Sequence, residues 1–137
     1  MIDALLNDTT YASLKKGIEG TALRHKAIAQ NIANVSTPGY KRKDVKFEDA
    51  LKKAIGRSGI KGTRTNSRHI PIQANSPSEV IPEFIVDKQP ALRVDGNNVD
   101  VDQEMAMLAK NAGKFMAMTE ILSRKYTMFR RALQPGT

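Results

Sequence analysis

With 137 residues and a formal net charge of +8, the chain has the length of one domain but little material for a thick core. Apolar residues make up 40% and aromatics 5%, with no Trp and no Cys; this favours thin helix-on-helix packing and excludes a disulfide framework or a thiolate metal site. The charge is concentrated, since residues 41–70 hold ten Lys/Arg against three Asp/Glu, whereas residues 71–99 hold two against four, so an acidic partner would meet the first of these segments.

The opening, "MIDALLNDTTYASLKK", lacks a basic stretch followed by a long apolar one, so export by a cleaved secretory leader is not expected. No apolar run approaches the roughly 20 residues needed to span a bilayer. From there the pattern is helical. Leu14, Ile18, Thr21, His25, Ile28, Ile32 and Val35 recur at steps of four and three, one stripe of a helix. Thr21 and His25 weaken that seam, and Gly17 and Gly20 each lower helicity by about 1 kcal/mol relative to Ala, so this helix depends on a partner. Pro38 and Gly39 in "STPGY" are its expected stop, because proline disfavours helical backbone at Thr37 and glycine permits the positive φ of a turn. A short second helix is expected around Phe47, Asp49, Leu51 and Ile55.

Residues 56–98 are rich in Gly, Ser, Asn, Thr and Pro and show no helical period, which predicts an irregular stretch ordered by contacts with other chains. Within it "VIPEFIVDK" could form a short strand, although Pro82 points to an edge position or an extended connector. The final segment carries the clearest pattern. Asp100 is the expected N-cap with Gln103 three residues on, as in a capping box. Asp102 and Glu104 in the first turn and Arg130 and Arg131 near the end suit the helix dipole. Met105, Leu108, Ala112, Phe115, Thr119, Leu122, Tyr126, Phe129 and Leu133 then follow at steps of three and four over about four heptads. The expected fold is all-α: long N- and C-terminal helices (1–40 and 99–137) packed as an antiparallel coiled coil around an irregular centre (41–98) with room for a short strand or hairpin.

Chemistry finds little support. His25 and His69 are 44 residues apart without zinc-site spacing. "DGNNVDVDQE" clusters oxygen ligands, but its Gly follows the first acid instead of standing sixth in the loop, so a calcium loop is rejected in favour of a turn and cap. No nucleophile is paired with a base and no phosphate-cradling glycine loop is present, so neither catalysis nor a cofactor is expected. The basic run "YKRKDVKF" admits a second function, a small basic nucleic-acid-binding protein, with lysines on phosphates and aromatics on bases; the surrounding sequence has no nucleic-acid-binding fold.

"NIANVSTPGYKRKDVKFEDAL" resembles the N-terminal signature of the flagellar axial proteins, in which an Asn-x-x-Asn pair at a helix end precedes Thr-Pro-Gly-Tyr. "DGNNVDVDQEMAMLAKNA" and "ILSRKYTMFRRAL" are similar to the C-terminal helix of the proximal-rod branch of that family. The resemblance covers roughly residues 10–55 and 94–134. It implies a structural subunit of the bacterial basal-body rod, passed through the flagellar type III export route without a cleaved signal and polymerised in the periplasm. The implied partners are copies of itself, FlgC-like rod proteins, the adaptor FliE and the export gate at the rod base, with no nucleic acid and no membrane span. On this reading Asn31, Asn34, Thr37, Pro38, Gly39, Tyr40, Lys41, Arg42, Lys43 and Phe47 form an assembly joint, in which the asparagines bond backbone of a neighbouring segment, the aromatics anchor and the cations meet acidic groups of adjacent subunits. Leu14, Ile18, Ile28, Ile32, Met105, Leu108, Phe115, Leu122, Tyr126 and Phe129 form the helix seam.

Overall fold

A computed structural model describes residues 9–56, 76–90 and 93–133. Of the irregular stretch expected over 56–98, residues 57–75, His69 included, and 91–92 lie outside them. Helix α1 spans Thr9–Ala33, strand β1 Lys43–Lys46, helix α2 Glu48–Gly56, a 3-10 turn Pro77–Glu79, strand β2 Glu83–Val86 and helix α3 Val101–Leu133. At 33 residues and roughly 1.5 Å per residue, α3 is about 50 Å long. No helix among the described residues is long and apolar enough to cross a membrane.

The architecture is mostly helical, and the centre carries a two-stranded antiparallel sheet, in the region where the sequence left room for a short strand or hairpin. The expected strand in "VIPEFIVDK" is β2, and its partner is the basic run, paired Lys43↔Val86, Asp44↔Ile85, Val45↔Phe84 and Lys46↔Glu83. Local periodicity could not have identified β1. Val45 is its one fully buried side chain, and the strand exists because Val45 and the following Phe47 reach a core with Ala27, Ala54 and Val80, flanked by Leu23 and Leu51. The sheet, α2 and the 3-10 turn therefore form a small lobe on one side of α1.

The other partner of α1 is α3. Asn31 meets Glu104, Thr21 meets Asn111, the Gly17 site faces Met118, and Tyr11 stacks edge-on with Tyr126 at 6.2 Å. Numbers rise on one helix as they fall on the other, so the two run antiparallel. The face of α1 that is buried is Gly17, Gly20, Thr21, Ala27, Ile28 and Asn31, rotated from the apolar stripe read in the sequence; Leu14, Ile18 and Ile32 sit at its margins, half-buried. The glycines are contact points. A Cβ at Gly20 would stand 2.6 Å from three ring atoms of Phe47, so only hydrogen lets that ring lie against the helix.

On α3 the buried residues are Glu104 and Asn111, both polar, while Met105, Phe115 and Tyr126 are partly to half exposed and Leu108, Leu122 and Phe129 half-buried. Asp100 caps the helix, its Oδ1 accepting from the amides of Asp102 (3.0 Å) and Gln103 (3.3 Å).

Candidate assembly joint

Helix α1 ends at Ala33, five residues before the proline expected to stop it. Asn34 is the local cause: its Nδ2 donates to Gln30 O at 2.8 Å and its Oδ1 accepts from Thr37 Oγ1 at 3.2 Å, drawing the chain into turns. The distant cause is Asn97, fully buried, whose Nδ2 lies 3.0–3.1 Å from the carbonyl oxygens of Asn34, Val35 and Thr37. One side chain from the approach to α3 thus gathers three carbonyls of the turns that follow α1, adding to the bonds they take from the Thr37 and Tyr40 amides and from Arg93. Its Oδ1 accepts from the Val99 amide at 2.8 Å, which holds it there.

The Pro38–Gly39 turn then rests on the Asp95–Gly96 turn. Both glycines have positive φ, +72° and +83°, a conformation that side chains resist. The Gly39 amide donates to Asp95 O at 2.8 Å, and Lys41 Nζ donates to Gly96 O at 2.7 Å. A Cβ at Gly96 would come within 3.6 Å of Gly39 Cα, so the two turns are in direct backbone contact.

Beneath them lies a buried polar cluster. Asn31 Nδ2 donates to Lys43 O (2.8 Å) and Glu104 Oε2 (3.0 Å), and its Oδ1 accepts from the Lys43 amide (2.9 Å) and Tyr40 Oη (3.2 Å). Its amide thus pairs with the Lys43 backbone much as a neighbouring strand would. Arg42 Nε donates to Glu104 Oε1 at 2.6 Å, with Asp87 and Asp44 carboxylates at 3.4 and 3.7 Å. The Arg42 amide donates to Asn98 Oδ1 at 2.7 Å. Glu104 is wholly buried, and both its oxygens are answered from other elements. Burial alone would lower the pKa of Arg42, but the hydrogen bond to Glu104 and the charges of Glu104, Asp44 and Asp87 outweigh it and hold the guanidinium above its ordinary value. Burial, then the Glu104 charge, raises Tyr40.

A second chain of charges continues outward. Arg24 bonds Val45 O (2.6 Å), Asp44 (3.3 Å) and Glu48 (3.0 Å) and lies 5.0 Å over the Phe47 ring, while Lys114 of α3 reaches the same Glu48 oxygen at 2.6 Å. The Lys114 hydrogen bond, helped by Arg24 against the opposing effect of burial, lowers the Glu48 pKa. A lowered folded-state value means that this contribution to stability is full above the unfolded value of 4.5 and is lost as pH falls through the folded one. Glu48→Gln is accordingly expected to narrow the stability difference between neutral and acidic pH, measured as urea midpoints at the two pH values; an unchanged pH profile would remove Glu48 from the network.

Two expectations change. The basic run is not a free cationic strip: Arg42 lies inside the chain on Glu104, Lys43 Nζ sits 5.8 Å from the Tyr40 ring, and Lys41 holds Gly96. Glu104, read from sequence as a first-turn acid for the helix dipole, is the counter-charge of Arg42. Asn97, Asn98 and Asp87 were missed, because their partners are remote in sequence. Phe47 is buried in the lobe core, while Thr37, Pro38 and Gly39 remain exposed.

Comparison with known proteins places this geometry. Residues 21–41, the end of α1 with its turn, match the family of flagella basal body rod proteins. Over 99% of both chains, the sequence is 36% identical to flagellar basal body rod protein FlgB of Salmonella typhimurium and 33% identical to that of Escherichia coli. FlgB of Bacillus subtilis is 30% identical over 93% of this chain and 95% of its own.

Proposed function

Because the chain belongs to the FlgB family of flagellar basal body rod proteins, and is a structural subunit of the flagellum and not an enzyme, we propose that it enters the periplasmic proximal rod by folding and polymerising together. The observation that carries this reading is the uncovered face of α3, where Met116, Ile121 and Met128 are 51–69% exposed. Side chains of this size left open along one helix mark a surface that another chain covers. The α1–α3 pair extends into a coiled coil whose outer faces are completed by copies of the chain, by FlgC-like rod proteins, and at the rod base by FliE and the export gate. Export proceeds by the flagellar route without a cleaved signal, with little fixed structure to pass through a narrow channel; burial shared among neighbours then offsets an ordering cost on the order of 1–2 kcal/mol per residue.

The joint divides its labour. Asn31, Asn34, Tyr40, Arg42 and Phe47 fix the angle between the helix pair and the lobe inside each subunit, and the exposed Thr37–Pro38–Gly39 turn faces the next. The three segments 1–40, 41–98 and 99–137 act as one structural unit. Met116→Asp with Ile121→Asp tests this: cells carrying the double variant are expected to lose swimming and rod incorporation while the purified chain keeps its helical circular dichroism. Normal motility would show that this face is not an assembly surface.

A further inference from the structure

We propose that the buried Arg42–Glu104 pair, with Asn31, is a register lock for the antiparallel pairing of α1 with α3. The helix interface itself does little to choose a register. Its α1 contacts to α3 fall on small or polar positions, Gly17, Thr21 and Asn31, with Ile28 the one large apolar side chain fully buried on that helix, and facing Gly17 is a methionine, which adapts to many shapes. Sliding such a surface by one turn, about 5.4 Å, would exchange one shallow contact for another. The polar contacts do not tolerate that slide. Glu104 is wholly buried and takes one bond from Asn31 on α1 and one from Arg42 on the segment that pairs with β2. Displaced by a turn, it would be a buried carboxylate with neither donor, while Arg42 would keep only Asp87 and Asp44 at 3.4–3.7 Å. A second polar rung, Asn111 Nδ2 to Thr21 O at 2.8 Å, lies two turns further along α3 and fits the same register. A buried ion pair adds little net stability over well-packed apolar residues, and its best-attested use is to specify one arrangement against others.

The test uses the full chain, which contains no native Cys. Ala22 and Ala112 line one groove between the helices, so Ala22→Cys with Ala112→Cys reports the native register; Ala22→Cys with Leu108→Cys, one turn away and outside that groove, reports a slide of one turn. In the parent background the native pair is expected to form disulfide in preference to the slid pair by on the order of a few hundredfold to a few thousandfold, the penalty for a broken buried pair. In an Arg42→Met, Glu104→Met background the helical signal should persist and that preference should fall to about tenfold or less. Glu104→Gln, whose single amide oxygen answers only one of Arg42 and Asn31 and sets an N–H2 against the other donor, should retain only part of it. A double-Met protein that stays helical with its preference intact would overturn the lock, and so would one that loses its helix, since the pair would then supply stability and not register.

Discussion

Replacing Glu104 with Ala is expected to destabilise the folded chain by about 3–5 kcal/mol, the range for removing one partner of a buried ion pair. The magnitude follows from what is left behind. Arg42, 7% exposed, would retain the longer contacts to Asp87 and Asp44 and a weak bond to Met107 Sδ at 3.0 Å, and Asn31 Nδ2 would lose its bond to the carboxylate. A guanidinium stripped of its shortest charge partner and a half-answered amide would then share a buried site, where each unmet group costs about 1–3 kcal/mol or more. Domains of this size have roughly 5–15 kcal/mol of stability in all, so motility is expected to fail at growth temperature. Urea titration of the purified chain, with motility assayed in parallel, checks this. A loss below about 1 kcal/mol, the scale of an exposed ion pair, would mean that the cluster is wet and the joint loosely held.

The second large effect is expected at Gly20, where two opposed contributions decide the sign. Alanine in place of a mid-helix glycine gains about 1 kcal/mol of helix propensity. At Gly20 the added Cβ would stand 2.6 Å from Phe47 Cγ, Cδ2 and Cε2. One of those atoms is at the base of the ring, and the ring is buried under Arg24, so it cannot swing aside. Overpacking of this kind costs about 1–3 kcal/mol, and a larger residue such as Val lies at the upper end. Gly20→Val is therefore expected to detach the β1–α2 lobe from α1 and lower stability by about 3 kcal/mol. Gly113 is the control, since nothing lies within 4 Å of its would-be Cβ; Gly113→Ala should stabilise the isolated chain by about 0.5–1 kcal/mol. If both substitutions changed stability in the same direction, the close contact between α1 and Phe47 would be wrong.

What could be read from the sequence divides by range. Helix α3 and its cap were legible because Asp100 and the spacing from Leu108 to Phe129 are local signals, and the resemblance at residues 31–47 pointed to the right family. The seam on α1 was read slightly rotated, since periodicity weighs apolar side chains and gives no credit to glycine, whereas the close approach of Phe47 needs Gly20. The joint was largely hidden. Nothing near Glu104 says that its partner is Arg42, and nothing in "DGNNVD" says that Asn97 will gather the carbonyls at the end of α1. One signal was available: Glu104 and Asn111 are seven residues apart, on the same side of α3 as Leu108 and Phe115, where a polar residue requires a buried partner.

The central claim is that each subunit's joint is satisfied within the chain while the outer face of α3 meets other rod subunits. A photo-crosslinking residue placed in turn at Met116, Ile121 and Tyr40, in cells that assemble the rod, tests it directly in purified basal bodies. The account predicts crosslinks from positions 116 and 121 to other rod subunits and only intrachain products from position 40. Intersubunit crosslinks from position 40 with none from 116 or 121 would contradict it, making the joint the contact between subunits and the α3 face a bystander.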